Sequence, residues 1–270
     1  MEGSVSRLKG VLARWRESPV APPATGPHLP SGIVIYAVGD IHGEARLLAS
    51  MLRHIEADAQ PALDAGLKCR LVFLGDYIDR GPDSRGVIEL LLAMPPSGFS
   101  LTCLMGNHEA ALLAFLKDPA AGPPWLSFGG VETLLSYGLP DGARGIRDPA
   151  CLRALRDALA ERLPEAHRDF LAGLPPFLEQ GDYAFVHAGV VPGRPLNRQR
   201  ADDLMWIREP FLSSPDWHGH MIVHGHSIVK TPQFHWNRIA VDTGAYASGV
   251  LSGVVLVGGE ARPIQVGTSL

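Results

Sequence analysis

Gly75-Asp76-Tyr77-Ile78-Asp79-Arg80-Gly81 is the stretch that decides the fold of this 270-residue chain. It follows the apolar run Leu71-Val72-Phe73-Leu74, which has the length and composition of a buried strand. Two carboxylates and an arginine therefore lie just beyond a strand end, where α/β proteins carry their reactive groups. Glycine at both ends lets the backbone approach an ion or a phosphate closely. The stretch predicts a reactive loop at the edge of a sheet.

A pattern of strand, polar loop and helix occurs three times in the first half of the chain. The apolar runs at 33–38, 71–74 and 101–105 are each followed by a polar loop and then by a stretch with helical periodicity. Three such units in succession predict a parallel α/β core. The later strand candidates, at 183–186, 222–223, 239–241 and 254–257, have shorter connections. We therefore expect a second, mixed sheet packed on the first.

The chain divides by composition into an extension and one catalytic domain. Residues 1–32 are predicted to be an N-terminal extension, in which a short basic amphipathic helix is followed by a Pro-rich connector. That helix either packs on the domain or docks on a membrane surface or a partner. Residues 33–270 form the predicted catalytic domain. Within it, about 119–175 is predicted to be an insertion of helices and Gly- and Pro-rich loops that caps the site.

Composition excludes several classes of function. The net charge is −4, so no basic field attracts nucleic acid. No apolar run approaches the ~20 residues of a transmembrane helix. The cysteines are few, odd in number and widely spaced, which favours a reducing compartment: Cys69, Cys103 and Cys151. We expect a cytoplasmic protein, and the sequence leaves its oligomeric state open.

Polar side chains follow each predicted strand and can meet at one edge of the two sheets. They are Asp40, His42, Asp76, Asn107, His108, His187, His224 and His226. Oxygen and imidazole donors without a thiolate suit Mn²⁺, Fe or Zn²⁺. Asp40 and His42 can bind one ion, and Asp76 can bridge to a second ion held by Asn107, His187 and His226. Two ions about 3.5–4 Å apart clamp a phosphoryl group and activate water.

These loops resemble the signature blocks of a known family. Gly39-Asp40-Ile41-His42-Gly43, the opening stretch and Gly106-Asn107-His108-Glu109 are similar to the three blocks of the phosphoprotein phosphatase branch of the calcineurin-like metallophosphoesterases. His187-Ala188-Gly189 and Gly225-His226 resemble its later histidine blocks. The resemblance implies a four-layer αββα sandwich of two mixed β-sheets flanked by helices. Because the family's ligand follows the glycine, it favours His226 over His224.

The resemblance also implies a role for each matching residue. One ion would be held by Asp40, His42 and Asp76, and the other by Asp76, Asn107, His187 and His226. His108 would protonate the leaving group, oriented by Asp79. The substrate phosphate would be bound by Arg80, Asn107 and Arg208. The implied reaction is direct in-line attack on phosphorus by metal-bound hydroxide, with Mn²⁺ as the preferred metal and Fe or Zn²⁺ as alternatives.

The substrate implied by the resemblance is a phosphorylated protein or a small phosphoester. A bacterial serine/threonine protein phosphatase is the first hypothesis, and the alternative is a symmetrical diadenosine tetraphosphate hydrolase. That hydrolase usually has alanine at the position of Asp79 and aspartate at that of Glu109, so both residues favour the phosphatase. A metal-binding adaptor without turnover is a remote third hypothesis.

A few aromatic and imidazole side chains have no matching block. Tyr246 either lines the site mouth or packs in the core. His218 and His220 are expected to be solvated. The remaining histidines outside the blocks, among them His167, are expected at the surface.

Overall fold

Ten strands form two mixed sheets in residues 21–267, the part of the chain that the computed structural model describes. The first sheet contains β1 (Ile33–Val38), β2 (Lys68–Phe73), β3 (Phe99–Cys103), β9 (Val250–Val257) and β10 (Glu260–Gly267). Its order is β10-β9-β1-β2-β3. Strands β1, β2 and β3 are parallel, whereas β9 is antiparallel to β1 and to β10. The basic helix predicted before residue 21 lies outside the described residues.

The second sheet carries the later strands. It contains β4 (Phe177–Gln180), β5 (Tyr183–Val186), β6 (Met221–His224), β7 (Gln233–Phe234) and β8 (Arg238–Ala240). Its order is β4-β5-β6-β8-β7, with β5, β6 and β8 parallel and with β4 and β7 antiparallel to their neighbours. Each sheet thus has a parallel centre, whose strands end at the same edge.

Helices cover the outer faces of the sheets. In chain order they are α1 (Ala45–Asp64), α2 (Ser84–Leu92), α3 (Asn107–Lys117), α4 (Gly122–Trp125), α5 (Val131–Ser136), α6 (Pro149–Arg162), α7 (Glu165–Ala172), α8 (Ala201–Trp206) and α9 (Ala245–Ser248). Short 3-10 turns lie at Pro119–Ala121 and Leu196–Arg198, and a π-helical turn at Leu126–Gly130 joins α4 to α5. None of the helices in the described part has the length and apolarity needed to cross a bilayer.

The alternation of side chains along the strands builds three apolar layers. In β1, Val34, Tyr36 and Val38 point to the helices, whereas Ile35 and Ala37 point into the space between the sheets. In β5, Tyr183 and Phe185 fill that inner space while Ala184 and Val186 face outward. A strand with both faces buried is expected to be apolar throughout, and the sequences of β1 and β5 are apolar at every position. The predicted four-layer αββα sandwich is confirmed.

Several elements differ from their sequence-based predictions. Strands β4 and β10 were not predicted, and β9 begins at Val250 instead of Val254. Residues 119–136, expected to be mostly loop, form consecutive helical turns. Their apolar side chains share one buried cluster with the helices on the first sheet. Leu29, in the predicted connector, packs between the two sheets.

Candidate metal centre and active site

The carboxylate of Asp76 lies at the centre of the site, three residues beyond the end of β2. Its Oδ2 atom faces three imidazole nitrogens: His187 Nε2 at 3.4 Å, His42 Nε2 at 3.6 Å and His108 Nε2 at 3.8 Å. Its Oδ1 atom accepts a hydrogen bond of 3.0 Å from the backbone N–H of His108. All four side chains are buried. One carboxylate therefore meets side chains from both sheets.

Two groups of potential metal ligands share Asp76. One contains His42 and His108, the other contains His187 and His226, and within each group the ligand atoms lie within 4.8 Å of one another. The amide oxygen of Asn107 is 2.8 Å from His187 Nε2. The two groups therefore overlap at one shared carboxylate, that of Asp76.

Asp40 completes the predicted set of ligands. Its Oδ2 atom is 4.0 Å from His42 Nε2, and the carboxylate accepts hydrogen bonds from the backbone N–H of His226. Neither Asp40 nor His224 belongs to the two groups above, and the ring of His224 contacts Phe211 at 5.1 Å between centroids. All six ligands expected from the sequence are thus brought together: Asp40, His42, Asp76, Asn107, His187 and His226.

Orphaned imidazole nitrogens show that the residues present fit a metal. The Nε2 atoms of His42 and His226 are buried, yet neither has a hydrogen-bond partner among residues 21–267. His42 is held at its other nitrogen, because Nδ1 is 2.9 Å from the carbonyl oxygen of Ile78. A ligand imidazole is typically fixed in this way, with the free nitrogen aimed at the ion. Burial lowers the pKa of both imidazoles to about 3, so they are neutral and able to coordinate at neutral pH.

Asp76 and His187 shift each other's pKa in opposite directions. Burial alone would raise the pKa of Asp76, but His187 and His108 outweigh it and hold the pKa well below its usual range. Burial alone would likewise lower the pKa of His187, but Asp76 raises it to about 10. Both ring nitrogens of His187 face oxygen atoms, Leu74 O at 2.9 Å and Asn107 Oδ1 at 2.8 Å. The oxygens that stabilise this imidazolium are donors that a metal cation can use.

His108 and Asp79 form a buried hydrogen-bonded pair beside the expected metal ligands. His108 Nδ1 donates to Asp79 Oδ2 at 2.6 Å, which leaves Nε2 directed at the centre. Burial alone would lower the pKa of His108, but Asp76 and Asp79 outweigh it, so the pKa is raised. Arg80 lies on the same side, with Nη2 3.0 Å from His108 Nε2.

Tyr246 lines the site, which settles one of the alternatives left open by the sequence. The guanidinium carbon of Arg80 is 4.9 Å from the centre of the Tyr246 ring, and that ring meets His42 edge-on at 5.4 Å. Arg208 is exposed and donates to the backbone carbonyl of His226 at 3.3 Å. Arg80 and Arg208 thus approach the centre from the loops after β2 and α8.

Glu109 connects the opening loop, residues 75–81, to the start of α3 through hydrogen bonds. Its carboxylate accepts hydrogen bonds from the backbone N–H groups of Asp76, Tyr77, Ile78 and Gly106, at 2.7–3.3 Å. Five non-glycine site residues have positive φ: His42, Asp76, Asp79, Arg80 and His226. Three of them, Asp76, Asp79 and Arg80, lie in the opening loop that Glu109 holds. Such backbone conformations cost about 1–3 kcal/mol each and persist only where neighbours enforce them. The loop is therefore strained in the region that carries its reactive side chains.

Sequence reasoning missed the partners of Asp79. Thr133 Oγ1 donates to Asp79 Oδ1 at 2.6 Å, and Trp125 Nε1 donates to Asp79 Oδ2 at 2.9 Å. Both residues lie about fifty positions downstream in a segment without a recognisable block, so no sequence signal marked them. Asp242 was also missed; its charge, together with burial, raises the pKa of Asp40.

Two histidines differ from their sequence-based predictions. His167 is buried, and its Nδ1 is 2.8 Å from the hydroxyl of Tyr137, so the prediction that it lies at the surface is wrong. His218 is half-buried against Phe211 and is not fully solvated. Neither residue belongs to a ligand group.

Comparison with known proteins identifies the family. The model of the calcineurin-like phosphoesterase family matches residues 33–245. The chain therefore belongs to this family, as its signature blocks indicate.

Individual relatives carry two different names. A symmetrical bis(5'-nucleosyl)-tetraphosphatase of Janthinobacterium sp. (strain Marseille) is 29% identical over 67% of this chain and 52% of its own length. Serine/threonine-protein phosphatase 2 of Escherichia coli K12 is 42% identical over 36% of this chain and 38% of its own. The chain thus spans about half the length, or less, of these curated relatives.

Solved structures agree on the fold. A crystal structure of a proposed diadenosine tetraphosphatase aligns with 92% of this chain and 97% of its own at a TM-score of 0.58 and 23% identity. A cold-active protein-tyrosine phosphatase of Shewanella aligns with 90% of this chain and 83% of its own at a TM-score of 0.53 and 15% identity.

Proposed function

We propose that this protein hydrolyses phosphate esters at the Asp76 centre with the help of two divalent cations. The observation that carries the proposal is the position of Asp76 Oδ2 among three buried imidazoles, with the Nε2 atoms of His42 and His226 lacking a hydrogen-bond partner in the described part of the chain. Mn²⁺ is the first metal to test, because carboxylate, amide and imidazole ligands without thiolate suit it.

The metal ligands divide into two sets that share Asp76. Asp40, His42 and Asp76 would hold one ion, and Asp76, Asn107, His187 and His226 would hold the other. Two ions bound in this way clamp phosphoryl oxygens and lower the pKa of a water molecule, which supplies the nucleophile. The protein's own part is to fix the ligands, to keep the ions apart by one carboxylate, and to bind the phosphoryl group.

Arg80 and His108 would act directly on the substrate. The guanidinium of Arg80 offers paired donors that match phosphoryl oxygens, and Arg208 and the amide of Asn107 would add further donors. His108 Nε2 would give a proton to the leaving oxygen while Asp79 holds Nδ1. As the arginine turns its donors to phosphate, Nε2 of His108 becomes available for this transfer.

Dinucleoside tetraphosphate is the first substrate class to test. The relative aligned over most of this chain carries the name of a symmetrical tetraphosphatase, and the protein phosphatase match covers a shorter part. The preference for a protein phosphatase drawn from the sequence is therefore not better supported than its alternative.

The hydrogen bond between His108 and Asp79 is the specific observation that favours a second substrate class. A serine alkoxide is nearly as basic as hydroxide, so it needs a proton in order to leave. A nucleoside diphosphate leaves as a stable anion, because the second pKa of its phosphate is about 6. His108 held at 2.6 Å by Asp79 therefore suits phosphoserine and phosphothreonine.

A comparison of substrates tests both classes. With Mn²⁺ supplied, we expect release of nucleoside diphosphate from diadenosine tetraphosphate and of phosphate from a phosphoserine peptide. His108→Asn is expected to lower turnover of the peptide by about 10²–10⁴-fold, and that of the dinucleotide by less than tenfold. Metal content should stay at two ions per chain. Failure to hydrolyse any phosphoester with two ions bound would refute the proposal in favour of an adaptor.

A further inference from the structure

We infer that Thr133 and Trp125 are positioning residues for protonation of the leaving group. They would act through Asp79, whose carboxylate they hold, and thereby fix the direction of His108. The inference rests on the proposed role of His108 as the proton donor. It assigns a function to the segment between α3 and α5, which the signature blocks do not reach.

Thr133 holds Asp79 at two points. Its hydroxyl donates to Asp79 Oδ1 at 2.6 Å and accepts from the backbone N–H of Asp79 at 2.9 Å. Ser84 Oγ accepts from the same N–H at 3.0 Å and lies 2.9 Å from Thr133 Oγ1. All three side chains are fully buried. Because Asp79 has a positive φ of 73°, these contacts also hold the backbone in a conformation it rarely adopts.

Trp125 binds the second oxygen of the same carboxylate. Its indole N–H donates to Asp79 Oδ2 at 2.9 Å, the atom that also accepts from His108 Nδ1. The indole is itself fixed by stacking on Phe115, with the centroids 5.1 Å apart and the rings 30° from parallel. Both oxygens of Asp79 thus have a side-chain donor from this segment, Thr133 at Oδ1 and Trp125 at Oδ2.

These donors give the buried carboxylate the solvation that water cannot supply. A buried carboxylate without donors is costly, and it turns neutral or changes its rotamer. By accepting from His108 Nδ1 at 2.6 Å, the Asp79 carboxylate holds the imidazole with Nε2 directed at the centre. In the proposed reaction water adds to phosphorus, the bond from phosphorus to the leaving oxygen breaks, and the proton on His108 Nε2 moves to that oxygen. The imidazole ends neutral, with its remaining proton on Nδ1 and hydrogen-bonded to Asp79 Oδ2.

The effect of losing these contacts on the rate is expected to depend on the leaving group. An alkoxide needs the proton of His108, so misdirection of the imidazole slows its release. Nitrophenolate leaves without a proton, so its release should respond little. A general loosening of the site or of the metal ions would slow both substrates alike. The ratio of the two rates therefore separates positioning from a merely structural role.

The experiment compares Thr133→Val with Thr133→Ser in the full chain loaded with Mn²⁺. Valine has nearly the shape of threonine without the hydroxyl, whereas serine restores it. We expect Thr133→Val to lower kcat for a phosphoserine peptide by about 10- to 100-fold, the loss typical of a hydrogen bond to a buried charge. The kcat for p-nitrophenyl phosphate should fall by less than threefold, and serine should recover most of the loss.

Two further variants keep the test decisive. Trp125→Phe removes the indole donor and should slow the peptide more than p-nitrophenyl phosphate, as Thr133→Val does. It takes the place of Thr133→Val as the test variant if that protein does not fold. Ser136→Ala is the matched control, because Ser136 also lies on α5 but bonds to the backbone of Thr133 and Arg85 instead of to Asp79. Its rates should equal those of the parent protein. Metal content and thermal melting are measured for every variant.

The outcomes distinguish this inference from the proposed function. If His108→Asn slows the peptide selectively but Thr133→Val and Trp125→Phe slow both substrates equally, the positioning role is refuted while the proton donor stands. If His108→Asn shows no selectivity either, the proposed role of His108 fails first. Rates unchanged in both Thr133→Val and Trp125→Phe would also overturn the inference.

Discussion

Arg80 is half-buried next to an aromatic ring and a histidine, although a carboxylate is the usual partner of an arginine. Among the described residues, no acidic side chain forms an ion pair with it; its guanidinium lies instead over the ring of Tyr246 and next to His108. A cation held by an aromatic face keeps its hydrogen-bond donors free, whereas a carboxylate partner would compete with phosphate for them. The ring of Tyr246 therefore orients the guanidinium without using its donors.

Tyr246→Leu is accordingly expected to weaken phosphate binding. A cation–π contact at a partly exposed site contributes about 0.5–1 kcal/mol, so KM and the inhibition constant for inorganic phosphate should rise by about 2- to 5-fold. Tyr246→Phe keeps the ring and should match the parent protein. In an Arg80→Ala background, Tyr246→Leu should cause no further loss. An equal loss in that background would show that Tyr246 acts on something other than Arg80.

The residues found from the sequence and those missed differ in how their contacts are made. Asp40, Asp76 and His187 could be identified because each follows an apolar strand within a short, spaced block. Glu109 lies in such a block, but its bonds to three consecutive N–H groups of the opening loop depend on how α3 meets β2. Thr133 reaches Asp79 across 54 positions, and no local pattern encodes that approach.

The segment from α4 to α5 shows why element type was harder to predict than strand position. Gly122, Pro123 and Pro124 read as a loop, yet proline is tolerated in the first turn of a helix, and α4 begins at Gly122. The following π-helical turn contains Gly129 at a φ of 112°. Trp125 and Leu126 are buried in the core, so tertiary packing outweighs weak local propensity here.

Gly129→Ala is expected to disturb Arg80 directly. A Cβ atom at this position would lie 2.7 Å from Arg80 N, and the carbonyl of Gly129 accepts the hydrogen bond from that N–H at 3.1 Å. Positive φ and the clash together should lower the free energy of unfolding by about 2–4 kcal/mol, measured by urea denaturation.

Gly142→Ala is the matched control for Gly129→Ala. Gly142 also has positive φ, at 134°, but a Cβ there would meet nothing within 4 Å. Gly142→Ala should lower the free energy of unfolding only by the cost of its positive φ, about 1–2 kcal/mol, and KM for substrate should be unchanged. If both variants lose the same stability and neither alters KM, close packing of Gly129 on Arg80 is not what positions the arginine.

At the scale of the whole molecule, the metal centre joins the two sheets. Asp40, Asp76 and Asn107 follow strands of the first sheet, whereas His187 and His226 follow strands of the second. The sequence could predict this convergence because parallel strands end at one edge of a sheet. It could not predict the antiparallel edges β4, β7 and β10, since edge strands with few buried residues lack a distinctive pattern.

Metal binding is therefore expected to stabilise the entire domain. Mn²⁺ at 100 times its dissociation constant should add about 2.7 kcal/mol. For a domain of this size that corresponds to a rise in Tm of about 5–10 °C, reversed by a chelator. Asp76→Asn removes the shared charge between the two ligand groups and should abolish most of the rise, together with bound metal. Asp169→Asn changes the same type of side chain on the exposed face of α7 and should keep both. A full rise in Tm with two bound ions in Asp76→Asn would contradict the bridging role, because the ions would then be held without the carboxylate that both groups share.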